Sequence, residues 1–344
     1  MGRSLLAATA ASALMLACGS HAGQAAAPAD DASHAGPCGA GEPKCPADRC
    51  SAGVCALVEL ASVPNPNIFG VDEGYVYFSG NELRALYRAP KCGGATETIA
   101  LSASAFHGVK LSGDYVYYWL GVSPVRVGRT PKNGGASEKL IADDGADPVQ
   151  LLALQPVAAD VYLSTGTGIA VLPAAGGALT QLFDHPGINA LVGDDRYAYF
   201  SDVTPSPGLF RVTTVQSSPE LVANIDVAAD SRPSPPTTGG DAIFAFYEGT
   251  TDATSYLYRV DKASRSSTRI ASLSPPPNLV LAADDRCVYF SHSDVPGSDV
   301  RSGLFRIPAT GGDVEFLAAA AEGVAIDQDA YYFASVSYVF RRPK

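Results

Sequence analysis

The sequence predicts an all-β protein folded as a β-propeller with seven blades of four strands each, six blades being the alternative count. The chain carries 34 Gly and 25 Pro among 344 residues, which is an excess of turn-forming residues. A short motif of β-branched and aromatic residues recurs seven times at intervals of 37 to 45 residues, and a Gly-Gly turn follows a second strand in several copies. Repeats of this length, built from short strands, are typical of propeller blades.

The composition excludes two broad classes of protein. With a formal net charge of −11, the chain is not a simple electrostatic binder of nucleic acid or of anionic lipid. Charged residues make up 17% of the chain and hydrophobic residues 47%, so a wholly disordered chain is excluded as well. We expect a monomeric folded body that has no nucleic-acid partner and contacts a membrane only through its N-terminus.

Residues 1–17 have the composition of a signal peptide. Arg3 supplies a positive start, and the apolar run from Leu5 to Leu16 is too short to span a bilayer. The segment ends in Met-Leu-Ala before Cys18, which resembles the lipobox of bacterial lipoproteins, where the cysteine thiol accepts a diacylglycerol. The resemblance implies a lipidated Cys18. Because Gly19 rather than Asp follows, it implies a protein anchored at the bacterial outer membrane, facing the periplasm or the cell surface. An ordinary secretory signal is the alternative.

A tether follows the lipidation motif. Residues 18–37 are rich in Ala, Gly, Pro and Ser and contain no large apolar residue. Such a segment cannot bury enough apolar surface to offset the entropy of folding. We therefore expect residues 18–37 to be a disordered linker between the lipid and the folded body.

Residues 38–54 form a Cys-rich segment. Four cysteines lie in it or at its end, namely Cys38, Cys45, Cys50 and Cys55. The stretch contains no Cys-x-x-Cys pair and no histidine, which disfavours structural zinc, and the oxidising compartment of an exported protein favours two disulfides. Three pairings are compatible with four cysteines, and pairing of one of them with Cys92 is a further alternative. Cys287 lies inside a predicted strand, and we expect it to be a buried free thiol.

Residues 55–344 consist of copies of one unit, represented by residues 70–100. Each unit has an acidic or glycine turn, a strand with a central aromatic residue, and a further strand that ends at a turn, where glycine supplies the positive φ that a tight hairpin needs. The central aromatic residues are Tyr77, Tyr117, Tyr162, Tyr199, Phe244, Tyr289 and Tyr332. The fifth copy lacks a clear innermost strand, because Pro233, Pro235 and Pro236 have no N–H to donate.

The two ends of the repeat region complement each other. The last copy stops without an outer strand, whereas residues 55–61 precede the first complete copy and resemble an outer strand. We expect residues 55–61 to pair with residues 338–342 and so close the ring, because closure removes an exposed sheet edge. The Cys-rich segment would then brace the closing strand.

The repeat also resembles a known group. Val76-Tyr77-Phe78, followed by Leu86-Tyr87-Arg88 and the Pro-Lys-x-Gly-Gly turn, is similar to the YWTD propeller repeat of low-density-lipoprotein receptors. It resembles more closely the bacterial propellers of unknown function that are related to that repeat. The resemblance covers about residues 55–344 and implies the fold but no activity. Trp-Thr-Asp is absent here, and the usual six blades of the family differ from the seven that the sequence predicts.

The sequence contains few signs of catalysis. It has no Gly-x-Ser-x-Gly elbow, no His-Glu-x-x-His helix and no Gly-rich phosphate loop, so no catalytic residue is predicted. Recurrent turn aspartates such as Asp72 and Asp327 are expected to cap their turns. Recurrent third-strand arginines such as Arg88 are expected to pair with these acids. No cofactor is predicted, although the acidic loop 143–147 could hold Ca²⁺ or another divalent ion.

The candidate binding residues come from loops that share one rim of the propeller. They are Trp119, His107, Asp143, Asp144, Asp147, His185, Asp202, His292, Asp294 and Asp299. The rim and the lack of catalytic motifs favour a non-enzymatic binding module with a protein or glycan partner. The alternative is a metal-dependent hydrolase or lyase, similar to a lactonase, with its site at the channel mouth and metal ligands that the sequence does not identify.

Overall fold

Seven antiparallel β-sheets, blades 1 to 7, form a ring. The computed structural model describes residues 50–51, 54–55, 57–121, 126–141, 150–185, 188, 190–202, 207–215, 218–228, 231–249, 254–274, 277, 279–292, 302–319, 321 and 323–344. Each innermost strand contacts the innermost strands of both neighbouring blades, which closes the ring and confirms the seven-bladed propeller. Within the described residues, no helix has the length and apolar character needed to cross a membrane.

The strand bounds are given from the innermost to the outer strand of each blade. Blade 1 consists of Asn67–Val71, Tyr75–Gly80, Ala85–Pro90 and Glu97–Leu101, and blade 2 of Phe106–Ser112, Tyr115–Leu120, Arg126–Pro131 and Glu138–Lys139. Blade 3 consists of Leu151–Val157, Asp160–Thr165, Gly168–Pro173 and Thr180–Asp184, and blade 4 of Val192–Gly193, Ala198–Asp202, Gly208–Val212 and Glu220–Asn224.

Blades 5 to 7 complete the ring. Blade 5 has an innermost strand in two pieces, Arg232–Pro233 and Thr237–Gly239, followed by Ala242–Glu248, Ser255–Asp261 and Ser267–Leu273. Blade 6 consists of Leu279–Ala283, Cys287–His292, Gly303–Pro308 and Glu315–Ala319. Blade 7 consists of Gly323–Ile326, Ala330–Ser335, Tyr338–Pro343 and, from the other end of the chain, Val58–Ser62. The break in blade 5 falls at the prolines that the sequence predicts to disturb this strand.

The outer strand of blade 7 closes the ring as expected. Val58–Ser62 runs antiparallel to Tyr338–Pro343, with Val58 opposite Arg341 and Ser62 opposite Tyr338. The first and last described strands of the ring therefore share one sheet, and no blade is left with an unpaired third strand. A short ladder of Cys50–Ser51 with Val54–Cys55 precedes the closing strand.

The cysteines give a mixed outcome. Cys50 and Cys55 are Cα partners in the short ladder, whereas Cys18, Cys38 and Cys45 lie outside the described residues, as do the predicted signal peptide and tether. Cys92 and Cys287 are both disulfide-bonded, so the expectation of a free thiol at Cys287 is wrong. A buried half-cystine and a buried free thiol occupy the same kind of strand position, and the sequence pattern does not distinguish them.

Alternate residues of each second strand pack on opposite neighbours, as the two-residue period of a strand requires. In blade 1, Val76 and Phe78 are fully buried and pack with Tyr332 of blade 7. Tyr77, between them, packs instead with Phe106 and Tyr118 of blade 2. Each copy of the repeat thus places its central aromatic residue at a junction with a neighbouring blade, which explains the spacing of the central aromatic residues in the sequence.

The third-strand arginines do not pair as expected. Arg88 donates to Glu97 of the outer strand, 2.6 Å away, and not to a turn aspartate. Arg88 and Glu97 are Cα partners in the antiparallel ladder, so their side chains lie on one face of the sheet. The same cross-strand pair recurs as Arg129–Glu138, Arg211–Glu220 and Arg306–Glu315. The expectation holds for Arg259, which pairs with Asp241 of a turn.

A polar contact joins blades 1 and 2 next to the buried aromatic residues. Asp72, after the innermost strand of blade 1, caps its turn by accepting two backbone N–H groups, as expected for the turn aspartates. Its other oxygen accepts a 2.7 Å hydrogen bond from the Tyr77 hydroxyl. Lys132, which follows the third strand of blade 2, places its Nζ 3.3 Å from the same oxygen. We call this Asp–Lys pair between neighbouring blades the inter-blade latch.

Around the ring, the two residues of the latch occur together or not at all. Four junctions have both, namely Asp72–Lys132, Asp194–Lys262, Asp284–Lys344 and Asp327–Lys91. At the other three junctions, the equivalent positions hold Ser112 with Ala174, Val157 with Thr214, and Gly239 with Ala309. A half-buried charge without its partner is destabilising, which is a physical reason for losing both residues at once.

The latch makes the stability of the fold depend on pH. Burial by itself would raise the pKa of Asp72, Asp194 and Asp327, but hydrogen bonds from backbone N–H groups and the lysine of the next blade outweigh burial and hold each pKa below its ordinary value. A carboxylate with a lowered pKa stabilises the fold above the pKa of the unfolded chain, about 4. That contribution is lost as the pH falls through the lower pKa of the folded state.

We expect Asp327→Asn to lower the free energy of unfolding by about 1–2 kcal/mol at pH 7, because hydrogen bonds to a charged group are lost at a partly screened site. The difference from wild type should shrink as the pH falls below about 4, because protonation of the unfolded chain and then of folded Asp327, whose pKa is lower, removes the contribution of the carboxylate. Urea unfolding followed by circular dichroism at several pH values measures both effects.

The control for this experiment is Asp241→Asn. The Asp241 side chain is 73% exposed and pairs with Arg259 at the surface, so its loss should change stability by less than about 0.5 kcal/mol. Equal losses in the two variants at pH 7, or an Asp327→Asn deficit that stays constant down to pH 3, would contradict the role of the latch.

Candidate functional site

A cavity of about 490 Å³ lies at one end of the central channel. Residues at or near the start of several innermost strands line it, including Asn67, His107, Leu152, Thr237 and Gly323. Strands alternate in direction within a blade, so this is also the end at which loops join second and third strands, and Leu83 of such a loop reaches the cavity. The cavity therefore opens on the rim that the sequence predicts to carry function.

Blade 2 builds an aromatic surface in this cavity. His107 and Trp119 are Cα partners in its first two strands, and their rings stack with centroids 6.0 Å apart and planes inclined by 25°. The ladder is irregular after His107, and Gly108 there has φ of +54°. A Cβ atom at Gly108 would lie 1.5 Å from a ring carbon of Trp119. Glycine thus lets the indole lie directly on the backbone, and we call His107, Gly108 and Trp119 the Trp119 platform.

Among the described residues that line the cavity, Lys110 is the only lysine, arginine or carboxylate. It lies two residues after Gly108 on the innermost strand of blade 2. Burial lowers the pKa of the Lys110 ammonium. Its ammonium group has no hydrogen-bond or ion-pair partner in the described part of the chain. The neutral polar side chains of Asn67, Ser79 and Thr237 face the same space.

The structure brings together two pairs of the sequence-predicted site residues, Trp119 with His107 in the cavity and His185 with Asp202 outside it. His185, after the outer strand of blade 3, bonds through Nε2 to Asp202 of blade 4, and neither residue lines the cavity. His292 is 6% exposed and packs edge-on against Phe305 within blade 6. The remaining predicted residues lie outside the described part of the chain, namely Asp143, Asp144, Asp147, Asp294 and Asp299.

The described residues contain no group of three or more His, Cys, Asp or Glu side chains placed to hold a metal ion. The acidic loop 143–147, which the sequence offers as a Ca²⁺ site, lies outside this part of the chain. His107 is the one histidine among the described residues that line the cavity. The described wall therefore offers no carboxylate or thiol beside His107 for acid–base or nucleophilic chemistry.

Sequence reasoning missed the residues that complete the site, above all Gly108 and Lys110. One signal was available. The innermost strands are apolar or neutral through most of the ring, and the strand Phe106–Ser112 is the one that carries a lysine at its centre. The Phe-His-Gly-Val-Lys order also places a glycine where a regular strand would not favour one.

Comparisons with known proteins identify the fold. No family model and no curated protein matches the chain. A streptogramin B lyase structure is 15% identical, with 83% of this chain and 97% of that chain covered and a TM-score of 0.62. An oligogalacturonate lyase in complex with manganese is 9% identical, with 85% and 93% covered and a TM-score of 0.61.

A third neighbour is not named as an enzyme. YCF48 bound to D1 peptide is 12% identical, with 84% of this chain and 96% of that chain covered and a TM-score of 0.55. At such low identities the three likenesses support the propeller fold alone.

Gly108→Ala should displace the Trp119 ring and shift its fluorescence emission. The added Cβ clashes with the indole, and the positive φ adds strain, so we expect a stability loss of about 2–4 kcal/mol. Trp119 is the only tryptophan in the chain, so emission reports on this site alone. Tryptophan emission spectra and urea unfolding measure the two effects.

Gly113→Ala is the matched control. Gly113 lies in the next turn of the same blade with φ of +52°, and a Cβ there would have nothing within 4 Å. This variant should lose only the roughly 1–2 kcal/mol of backbone strain and keep the wild-type emission. Identical emission spectra for Gly108→Ala, Gly113→Ala and wild type would show that the platform is not built as described.

Proposed function

We propose that the protein is a lipid-anchored binding module of the bacterial cell envelope, which holds a small ring-bearing ligand, such as a glycan unit, in the channel mouth without transforming it. The observation that carries this proposal is the Trp119 platform. Gly108 adopts a left-handed backbone conformation, and its lack of a Cβ atom leaves space for the indole, which is partly exposed in a cavity. A flat aromatic face in a cavity is suited to stacking on a ring.

The size and lining of the cavity support a small ligand. About 490 Å³ falls within the range of roughly 300–1,000 Å³ that is usual for small-molecule sites. Apolar side chains such as Leu152 and Val324 share the wall with the polar groups of Asn67, Ser79 and Thr237. A wall that combines apolar side chains with convergent polar groups is suited to a binding site that selects by orientation.

The absence of a catalytic set in the described cavity wall favours binding over chemistry. Hydrolysis or elimination by general acid–base catalysis needs a positioned base and acid, and His107 here stacks on Trp119 with no described carboxylate beside it in the cavity. Two of the structural neighbours are named as lyases. Because they are 15% and 9% identical to this chain, their activity is not transferred to it.

The proposed location rests on the N-terminal sequence. We expect the propeller to be held at the outer membrane by the signal segment that ends at Ala17, the lipidation candidate Cys18 and the tether to residue 37. Sugars and peptides of the envelope would then be within reach of the channel mouth.

We expect Cys18→Ala to move the protein from the membrane fraction to the soluble fraction and to abolish labelling by an alkyne fatty acid, because the acceptor thiol is lost. Cys18→Ala and wild-type cells are labelled, fractionated and blotted in parallel. Fatty-acid label that persists in Cys18→Ala, or wild-type protein without label, would contradict lipidation.

Binding is tested by titrating the purified full-length protein with a panel of envelope-type monosaccharides and disaccharides while Trp119 emission is followed. We expect at least one saturable change that Gly113→Ala retains and Gly108→Ala loses. Nuclear magnetic resonance of the same mixtures should show an unchanged ligand. Consumption of the ligand, or emission that no member of the panel alters at millimolar concentration, would contradict the proposal.

A further inference from the structure

We propose that the channel ligand is an acid, a ring-bearing carboxylate whose charged group pairs with the Lys110 ammonium while its ring lies on the Trp119 platform. This inference rests on the proposed function and assigns the chemical class of its ligand. Both parts of the site belong to blade 2 and line one cavity, so a single small molecule can contact both.

Lys110 is a cation without compensation in the described part of the chain. Among the described residues of the lining it is the only lysine, arginine or carboxylate, and its ammonium group has no hydrogen-bond or ion-pair partner there. Withdrawing an ammonium group from water without a partner is costly, and proteins normally supply a carboxylate. Because the described cavity wall supplies no carboxylate to Lys110, the ligand is the group that supplies one.

The lysines that follow third strands differ from Lys110 in having a carboxylate partner. Lys91, Lys132, Lys262 and Lys344 each reach an aspartate of the preceding blade in an inter-blade latch. Where the aspartate is missing, this chain has no lysine at the partner position. Lys110 departs from that rule, because its neighbours across the cavity are apolar or neutral.

The Trp119 platform provides an aromatic surface in the same cavity as the charge of Lys110. The indole of Trp119, stacked with His107, provides an aromatic surface, and the cavity volume suits one or two rings and not a folded peptide. Sugar acids and aromatic acids share this combination of a ring and a carboxylate. A neutral ring would use the platform alone and leave Lys110 uncompensated.

The affinity for an acid should also depend on pH, because binding is linked to protonation of Lys110. A bound carboxylate favours the charged amine, so the affinity should fall as the pH rises through the pKa of Lys110, which burial lowers in the free protein. His107 is the one histidine of the described lining. A His107→Gln variant therefore tests whether the pH dependence persists without the imidazole.

The experiment compares matched acid and neutral probes by isothermal titration calorimetry on the full-length protein. The pairs are D-glucuronate with D-glucose, and benzoate with benzamide. We expect at least one acid to bind about 10- to 100-fold more tightly than its neutral partner, as a charge-assisted hydrogen bond would give. Lys110→Met should reduce the acid to the affinity of the neutral probe, whereas Lys139→Met, at an exposed position of the outer strand, should bind like wild type.

The outcomes separate the two proposals. Equal affinity of acid and neutral probes, with no effect of Lys110→Met, would overturn the anionic ligand and leave the binding module intact. If no probe binds and Trp119 emission stays constant, both proposals fail for these rings. Because Lys110→Met could alter folding, its unfolding curve is measured, and the pH dependence of acid binding by His107→Gln serves as an independent test. Affinity that does not fall with rising pH would overturn the inference.

Discussion

The ring depends on pairing between neighbouring blades, and the inter-blade latch is its polar component. Neighbouring blades bury aromatic and aliphatic side chains against each other, and at four of the seven junctions an Asp–Lys pair adds a bridge, which at Asp72 lies beside the Tyr77 hydroxyl. Two latches, Asp284–Lys344 and Asp327–Lys91, join blade 7 to both of its neighbours. Blade 7 is also where the two ends of the described ring pair. The joint presence or absence of the latch residues indicates that charge compensation decides which residues occupy these positions.

The channel site follows from the closed ring. Described residues of six blades contribute to the cavity wall, so its shape exists only while the junctions hold. Within it, blade 2 departs from regular strand geometry at Gly108, and this irregularity places Trp119 on the backbone and Lys110 in the wall. The contrast between the paired latch lysines and Lys110 connects the stability of the fold with its proposed function, because the same electrostatic rule applies to both.

The sequence predicts the repeated parts of this structure well and its single departures poorly. The central aromatic residues and the closing strand follow from periodicity, since each copy buries the same positions. The Arg88–Glu97 pair was not predicted, because the bulged register of the third and outer strands decides which acid faces the arginine. Lys110 was missed because the alternation of a strand does not show which residue of an innermost strand faces the channel. Trp119 and His107 were found, since both flank loops at the predicted rim.

The central claim is that Lys110 is an uncompensated cation in the channel wall, and its titration tests that claim most directly. Protein labelled with 13C at the lysine Cε positions is titrated by nuclear magnetic resonance, and the Lys110 signal is assigned by its absence in Lys110→Arg. We predict that Lys110 titrates below the ordinary lysine pKa of about 10.4, and that saturating D-glucuronate moves its titration to higher pH. A Lys110 signal that titrates at the ordinary value and is unaffected by the acid would contradict the anionic ligand.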